Sequence, residues 1–311
     1  MKRIFFLNIL IWSMIGMTTA TGQQDPQYTQ YMLNTQVINP ALVGSRGVTT
    51  IGALYRSQWL GLDGAPTTQT LHFNTPLSEK VGIGFSVVND EIGNGTSQET
   101  FVDGSFSYNL PVSDYANLSF GIKASANILN VDFSQLVNYG AEANLPNIDN
   151  KFSPNFGVGV FYNTDKFYAG LSVPRILETE HFDNDYKGTF LASEQMNFYF
   201  ISGFVFELNP DLKLRPGMLM KAVQGAPLSV DVSASMLFNE TFSFGAAYRF
   251  DSSVSALFGF QVTEKFLLGL SYDWETTELG STQFNDGSFE VFLRFDFINR
   301  YNRNNAGGNF F

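Results

Sequence analysis

Two histidines, a run of four acids and two pairs of closely spaced glycines are the residues of this 311-residue chain from which chemistry could be built. His72 lies in a segment of alternating apolar and polar residues, and His181 in the loop Glu178-Thr-Glu-His-Phe-Asp-Asn-Asp. A hydrolase built on Ser-His-Asp or Asp-His would need one of them beside a nucleophile or an acid. Neither G-x-S-x-G nor H-E-x-x-H occurs, and the chain reads as a non-enzyme. Gly82-Ile-Gly84 and Gly157-Val-Gly159 look like nucleotide loops but lie inside alternating segments, with no following Lys-Ser/Thr and no helix. They read as strand glycines on the inner face. Glu178, Glu180, Asp183 and Asp185 could hold calcium through side-chain oxygens, yet they lack the spacing and glycine of a defined loop and read as a solvated acidic loop. There is no cysteine, which excludes disulfides, Cys-metal sites and a lipid-modified N-terminus. No cofactor is expected.

The elements that would position any site are strands. From Val48 onward, segments of about ten residues alternate apolar with small or polar side chains, the two-residue period of a strand between different solvents. Leu228, Val230, Val232, Ala234, Met236 and Phe238, for example, alternate with Ser229, Asp231, Ser233 and Ser235. Fourteen such segments are expected, at 48–58, 67–75, 81–90, 97–110, 115–130, 153–163, 167–176, 192–208, 212–222, 227–238, 241–251, 253–263, 265–275 and 287–297. The even-to-odd links are all short, whereas the odd-to-even links include the long ones: Trp59–Pro66, Glu91–Thr96, Val131–Phe152, Leu177–Leu191 and Thr276–Asp286. Short turns on one side and long loops on the other, with an even strand count, are the marks of an outer-membrane barrel. Two odd-to-even links, near Gly225 and Ser252, are short, so the outer rim should be low on one side.

Composition agrees. Charged residues are 15% of the chain, against about a quarter for soluble domains, and there are 32 Phe and 13 Tyr. The polar face carries ions of both signs (Lys123, Lys213, Arg215, Asp231, Arg249, Asp273, Glu290, Arg294, Asp296), as a wet lumen would, while the apolar face is nearly free of charge. A soluble β-sandwich would bear charges, not Ser and Gly, on its outer face. Aromatics near strand ends, Tyr55, Tyr108, Tyr162, Tyr248, Tyr272 and Trp274, suit bilayer interfaces. Lys2-Arg3, an apolar run to Met17 and small residues to Gly22 make residues 1–22 an expected signal peptide. Without it, 16 basic residues face 29 acidic ones, a charge of 16 − 29 = −13, which argues against nucleic acid as a partner. The barrel should span 48–297, and 298–311 should form a polar periplasmic tail.

One long stretch is neither strand nor turn: Asp25–Gly47, DPQYTQYMLNTQVINPALVGSRG. Tyr28, Tyr31 and Met32 have the spacing of one short helical turn, which Asn39-Pro40 should end, because a residue before proline leaves the helical region. Its Q-Y-x-x-N-x-x-x-x-N-P-A-x-x-G pattern, with Tyr55-Arg56-Ser57-Gln58-Trp59 and Gly61-Leu62-Asp63-Gly64-Ala65-Pro66 downstream, resembles the PorP/SprF family of type IX secretion system membrane proteins.

The resemblance implies an outer-membrane β-barrel that binds the C-terminal (type B) domain of a secreted cargo, such as a large gliding or surface adhesin, and supports its secretion and attachment. Other type IX components and outer-membrane lipid are the remaining implied partners. Partner contacts are carried onto the motif positions Tyr28, Tyr31, Asn34, Asn39, Pro40, Arg56 and Trp59, and onto the loop anchor Trp274. Residues 23–47 are expected to begin and end on the periplasmic side and to fold under or into the lumen as a plug. Two other readings stand beside this one: a passive porin, and a barrel coupling the membrane to the periplasmic secretion ring.

Overall fold

The computed structural model of the protein describes residues 26–135, 147–178, 195–282 and 285–298. The expected signal peptide, Glu180, His181, Asp183 and Asp185 of the acidic loop, and the tail beyond Ile298 lie outside the described residues.

The alternating segments form one closed antiparallel sheet: β1 (Thr49–Ser57), β2 (Thr67–Pro76), β3 (Val81–Ile92), β4 (Ser97–Ser113), β5 (Ala116–Val131), β6 (Ile148–Thr164), β7 (Phe167–Val173), β8 (Asn197–Phe204), β9 (Phe206–Asn209), β10 (Leu212–Val223), β11 (Ser229–Phe238), β12 (Phe242–Arg249), β13 (Ser253–Thr263), β14 (Phe266–Glu275) and β15 (Ser288–Phe297). β8 and β9 are two halves of one strand interrupted at Val205, since both pair with β10, so the barrel has fourteen strand positions. β15 closes on β1, from Thr49↔Phe297 to Ser57↔Phe289. Around the sheet, each strand position pairs with its neighbours in sequence.

The expected boundaries hold to a few residues, with two instructive departures. β7 stops at Val173 because Pro174 follows and has no N–H for the ladder. β6 begins at Ile148, earlier than expected, because its first residues pair with the outer end of β5 (Val131↔Ile148, Leu129↔Lys151).

Side chains sort by face as the alternation requires. On β2, Thr68, Thr70, His72 and Asn74 are buried while Leu71 and Phe73 are exposed. Among the described residues, the exposed large apolar side chains cover the wall from Ile51 to Phe297, the surface that meets hydrocarbon. Among the described residues, no helix is long and apolar enough to cross a membrane.

The core is the interface between the wall and Pro26–Gly47, which runs through the lumen. Tyr28, Tyr31, Val37, Ile38, Ala41 and Leu42 of that segment cluster with inward residues such as Leu54, Val88, Phe101, Phe161 and Phe292. The segment holds one short helix, α1 (Thr35–Ile38), then a 3-10 turn at Pro40–Leu42. The helix is not at Tyr28–Met32, where the spacing places it. Tyr28 and Tyr31 reach opposite walls instead, Thr70 on β2 and Ser233 on β11, and a single helical face cannot do both. Asn39 does end the helix, with extended backbone (φ −136°, ψ 110°).

Candidate functional site

The plug crosses the lumen from the outer half to the periplasmic mouth. Gln27 and Tyr28 meet Arg249, the last residue of β12, at the end of the barrel bearing the long connections. Arg46 meets Asp296, near the inner end of β15. This corrects the expectation that the segment begins and ends on the periplasmic side: its first described residues lie in the outer half of the lumen.

In the outer half, wall ions clamp plug backbone. Glu290 accepts from the backbone N–H groups of Thr29 (3.0 Å) and Gln30 (2.8 Å). The Thr29 hydroxyl donates to Asp273 (2.7 Å) and accepts from Arg56 Nη1 (2.7 Å). Arg56 in turn pairs with Asp273 (2.8 Å) and Glu290 (3.4 Å). All three wall ions are almost fully buried, at 2%, 1% and 0% exposure, so one guanidinium bridges two carboxylates that the plug also needs as acceptors. On the facing wall, Arg249 forms a two-point contact with Asp231 (2.7 and 2.8 Å) and spends its remaining donors on the Gln27 side chain and the Tyr28 carbonyl. Charge-assisted, forked bonds of this kind are the strong ones.

At mid-height, the wall supplies the donors that free plug carbonyls require. Lys123, paired with Asp103 (3.3 Å), reaches the Val37 carbonyl; Ser172 donates to Ile38 and Ser107 to Val43. Asn39 stitches plug to wall. Its Oδ1 accepts from Ala41 N–H (2.9 Å), and its Nδ2 donates to the Val160 carbonyl of β6 and that of Leu171 on β7. Non-sheet backbone at membrane depth is tolerated only where such partners exist. The glycine pairs now have a reason. A Cβ at Gly159 would overlap Asn39 and at Gly121 would overlap Ala41 and Pro40, while Gly82 and Gly84 lie against Val43 and Gln36. These make room for the plug, whereas Gly157 lies against Pro174.

The outer rim is built unequally. Trp59 adopts φ 47°, a left-handed conformation rare for a bulky residue, and its indole N–H reaches Glu275 (3.2 Å). Leu60 exchanges backbone bonds with Asp286 and Gly287 (2.7 Å each), and Gly64 accepts from Gly93 (2.8 Å), so three loops lock together beside β1. Hydrogen bonds from Ser134 and Gln135 hold the exposed Asp132 carboxyl below its usual range, fixing the start of the loop after β5. Across the mouth, the links between β10 and β11 and between β12 and β13 are short, and the rim is low there, as expected.

Of the eight residues carried over as partner contacts, Tyr28, Tyr31, Asn34, Asn39, Pro40 and Arg56 are buried in the plugged lumen. Trp59 is in the locked rim, and Trp274 is an exposed outward residue stacked edge-on against Tyr272. The eight therefore form no single surface; six position the plug. Sequence reasoning placed Glu290, Asp273 and Asp231 in the lumen but missed Thr29 and the clamp. Thr29 lies more than 240 residues from Asp273 and Glu290, and no local spacing announces those contacts.

A family model described as type IX secretion system membrane protein PorP/SprF matches residues 20–295. This chain belongs to the PorP/SprF family. No curated protein matches it. Among solved structures, the Ralstonia pickettii toluene transporter TbuX is similar over 90% of this chain and 95% of its own, at 10% identity and a TM-score of 0.51. The Acinetobacter baumannii outer membrane protein Omp33 is similar over 80% and 98%, at 10% identity and a TM-score of 0.47. At such identities the likeness to TbuX speaks to fold alone. Family and fold together place this PorP/SprF protein in the outer membrane as a type IX secretion component.

Proposed function

We propose that this PorP/SprF protein works by recognition, not chemistry: a sealed outer-membrane receptor for the C-terminal, type B domain of a secreted cargo such as a surface adhesin. It would support secretion of that cargo and hold it at the cell surface. The observation that carries this reading is the filled lumen. A plug tied into the wall by buried ions suits a barrel that must hold a partner without leaking, and it disfavours the passive porin. Phe292 and Leu219, both buried and inward, add to the obstruction. The locked rim around Trp59 offers a shaped outer platform for a protein domain. A signal peptide over 1–22, removed on export, completes the proposal.

Affinity purification of the tagged barrel from native outer membranes tests it. An adhesin retained through its C-terminal domain is the expected result. Recovery of periplasmic ring components without cargo would replace the receptor role with a coupling role.

A further inference from the structure

The plug's first described residues lie at the top of the lumen, on its low side. Arg249, the last residue of β12, holds the Gln27 side chain (2.9 Å) and the Tyr28 carbonyl (3.4 Å). Pro26, Gln27 and Tyr28 share a cavity of ≈ 20 Å³ with Lys221, Ser229 and Arg249. Ser229 is the first residue of β11, and Lys221 lies near the outer end of β10. The links beside these residues, 224–228 and 250–252, are the short ones. On the opposite side, 58–66 and 276–287 are longer and are tied together through Leu60, Asp286 and Gly287. Pro26 and Gln27 are only half-buried.

Distance then decides where the chain ahead of Pro26 can go. β11 covers ten residues, roughly 30 Å of strand, and a tilt of about 40° leaves more than about 20 Å of lumen between Ser229 and the periplasmic mouth. With residues 1–22 removed, as proposed above, three residues remain ahead of Pro26, and they span at most about 11 Å. Removal after Ala20 leaves five, which span at most about 18 Å. Neither reaches the periplasm. The way back is also filled, by Tyr31, Ile38 and Leu42 of the plug itself.

We propose that the processed chain begins on the outer face, over the low side of the rim, and that Pro26, Gln27 and Tyr28 form part of the surface that a secreted protein domain meets. The contact rests on the receptor reading; the exit rests on geometry and on the removal of residues 1–22. A domain settling on the Trp59 platform finds the opposite rim low, and there it meets the plug itself. Immediately beyond Tyr28, Glu290 holds the Thr29 and Gln30 N–H groups, so a grip on Pro26–Tyr28 bears directly on the clamp.

The chain has no cysteine, so a single introduced thiol reports its own position. On intact cells, a membrane-impermeant maleimide should label Gln24→Cys and Pro26→Cys to the level of Gln224→Cys, on the outer link between β10 and β11. Lys80→Cys, exposed in the periplasmic turn between β2 and β3, should label at least tenfold less until the outer membrane is permeabilised. Reaction at either plug position on intact cells supports the exit; protection of both to the level of Lys80→Cys overturns it. The contact is read separately, with a benzophenone maleimide on the same thiols. Crosslinks to the cargo's C-terminal domain from Gln24→Cys or Pro26→Cys, and not from Lys80→Cys, support it. Cargo that co-purifies without such a crosslink overturns the contact and leaves the receptor standing. Cargo that never co-purifies overturns the receptor and the contact with it, while the labelling still decides the exit.

Discussion

The plug's two ends sit in opposite electrostatic settings. Its outer end lies among three carboxylates and two guanidiniums: Arg56 bridges Asp273 and Glu290, and Arg249 forks Asp231. At its inner end two guanidiniums, Arg46 of the plug and Arg294 of the wall, meet the same carboxylate, Asp296. Where carboxylates outnumber guanidiniums, they also accept the backbone N–H groups of the plug. Where two guanidiniums meet one carboxylate, the wall holds the plug through its own arginine. The same residue types thus hold the plug in two ways, by its backbone at one end and by a side chain at the other.

Removing one member of the clamp should cost most. Arg56→Ala leaves Asp273 and Glu290 buried together without a cation, and losses of about 3–5 kcal/mol are typical of such broken pairs. Thermal unfolding in detergent should show a large drop in melting temperature; a shift no greater than that of a surface variant would dissolve the distinction between the two ends.

Crowding the seat of the plug comes next. Gly121→Val or Gly159→Val drives a side chain into Ala41 or Asn39, an overpacking penalty of about 1–3 kcal/mol. Because moving the plug relieves it, single-channel recordings in planar bilayers should pass from a closed baseline to conducting events. Unaltered closure would mean that the plug adjusts in place.

The inner layer should respond in the other direction. Arg215→Met removes a buried guanidinium whose Nε has no hydrogen-bond partner, so stability should hold or rise by up to about 1 kcal/mol. A fall comparable to Arg56→Ala would show that Arg215 is paired as tightly as the outer ions are.

The smallest effect belongs to the rim. Trp59→Phe removes one hydrogen bond to Glu275, about 0.5–1.5 kcal/mol, and should lower cargo retention more visibly than melting temperature if the rim is the docking platform. Retention at the wild-type level would move the platform elsewhere on the mouth.

Much of this molecule was legible before any coordinates. A strand between lipid and a wet lumen must alternate, so the run from Leu228 to Phe238 declares its own conformation and both its faces. Loop lengths declare the outer end, including the low rim near Gly225 and Ser252. Asn39-Pro40 declares the end of a helix, because proline constrains the residue before it. Less legible was the place of that helix. The spacing of Tyr28, Tyr31 and Met32 suits a helical turn, but two opposite walls pull the tyrosines apart, and the helix forms at Thr35–Ile38 instead.

What the sequence by itself determined, then, is everything set by a residue and its near neighbours: strand count, facing, turn asymmetry, and the separation of polar plug from alternating wall. Tertiary structure alone decided the direction in which the plug crosses the lumen. It also decided that Thr29 meets Asp273 and Glu290, and that Arg46 and Arg294 both meet Asp296. Closing the sheet is what brings such positions within bonding distance. Period and spacing record which way a side chain points, but not which other side chain, more than two hundred residues away, will be there to meet it.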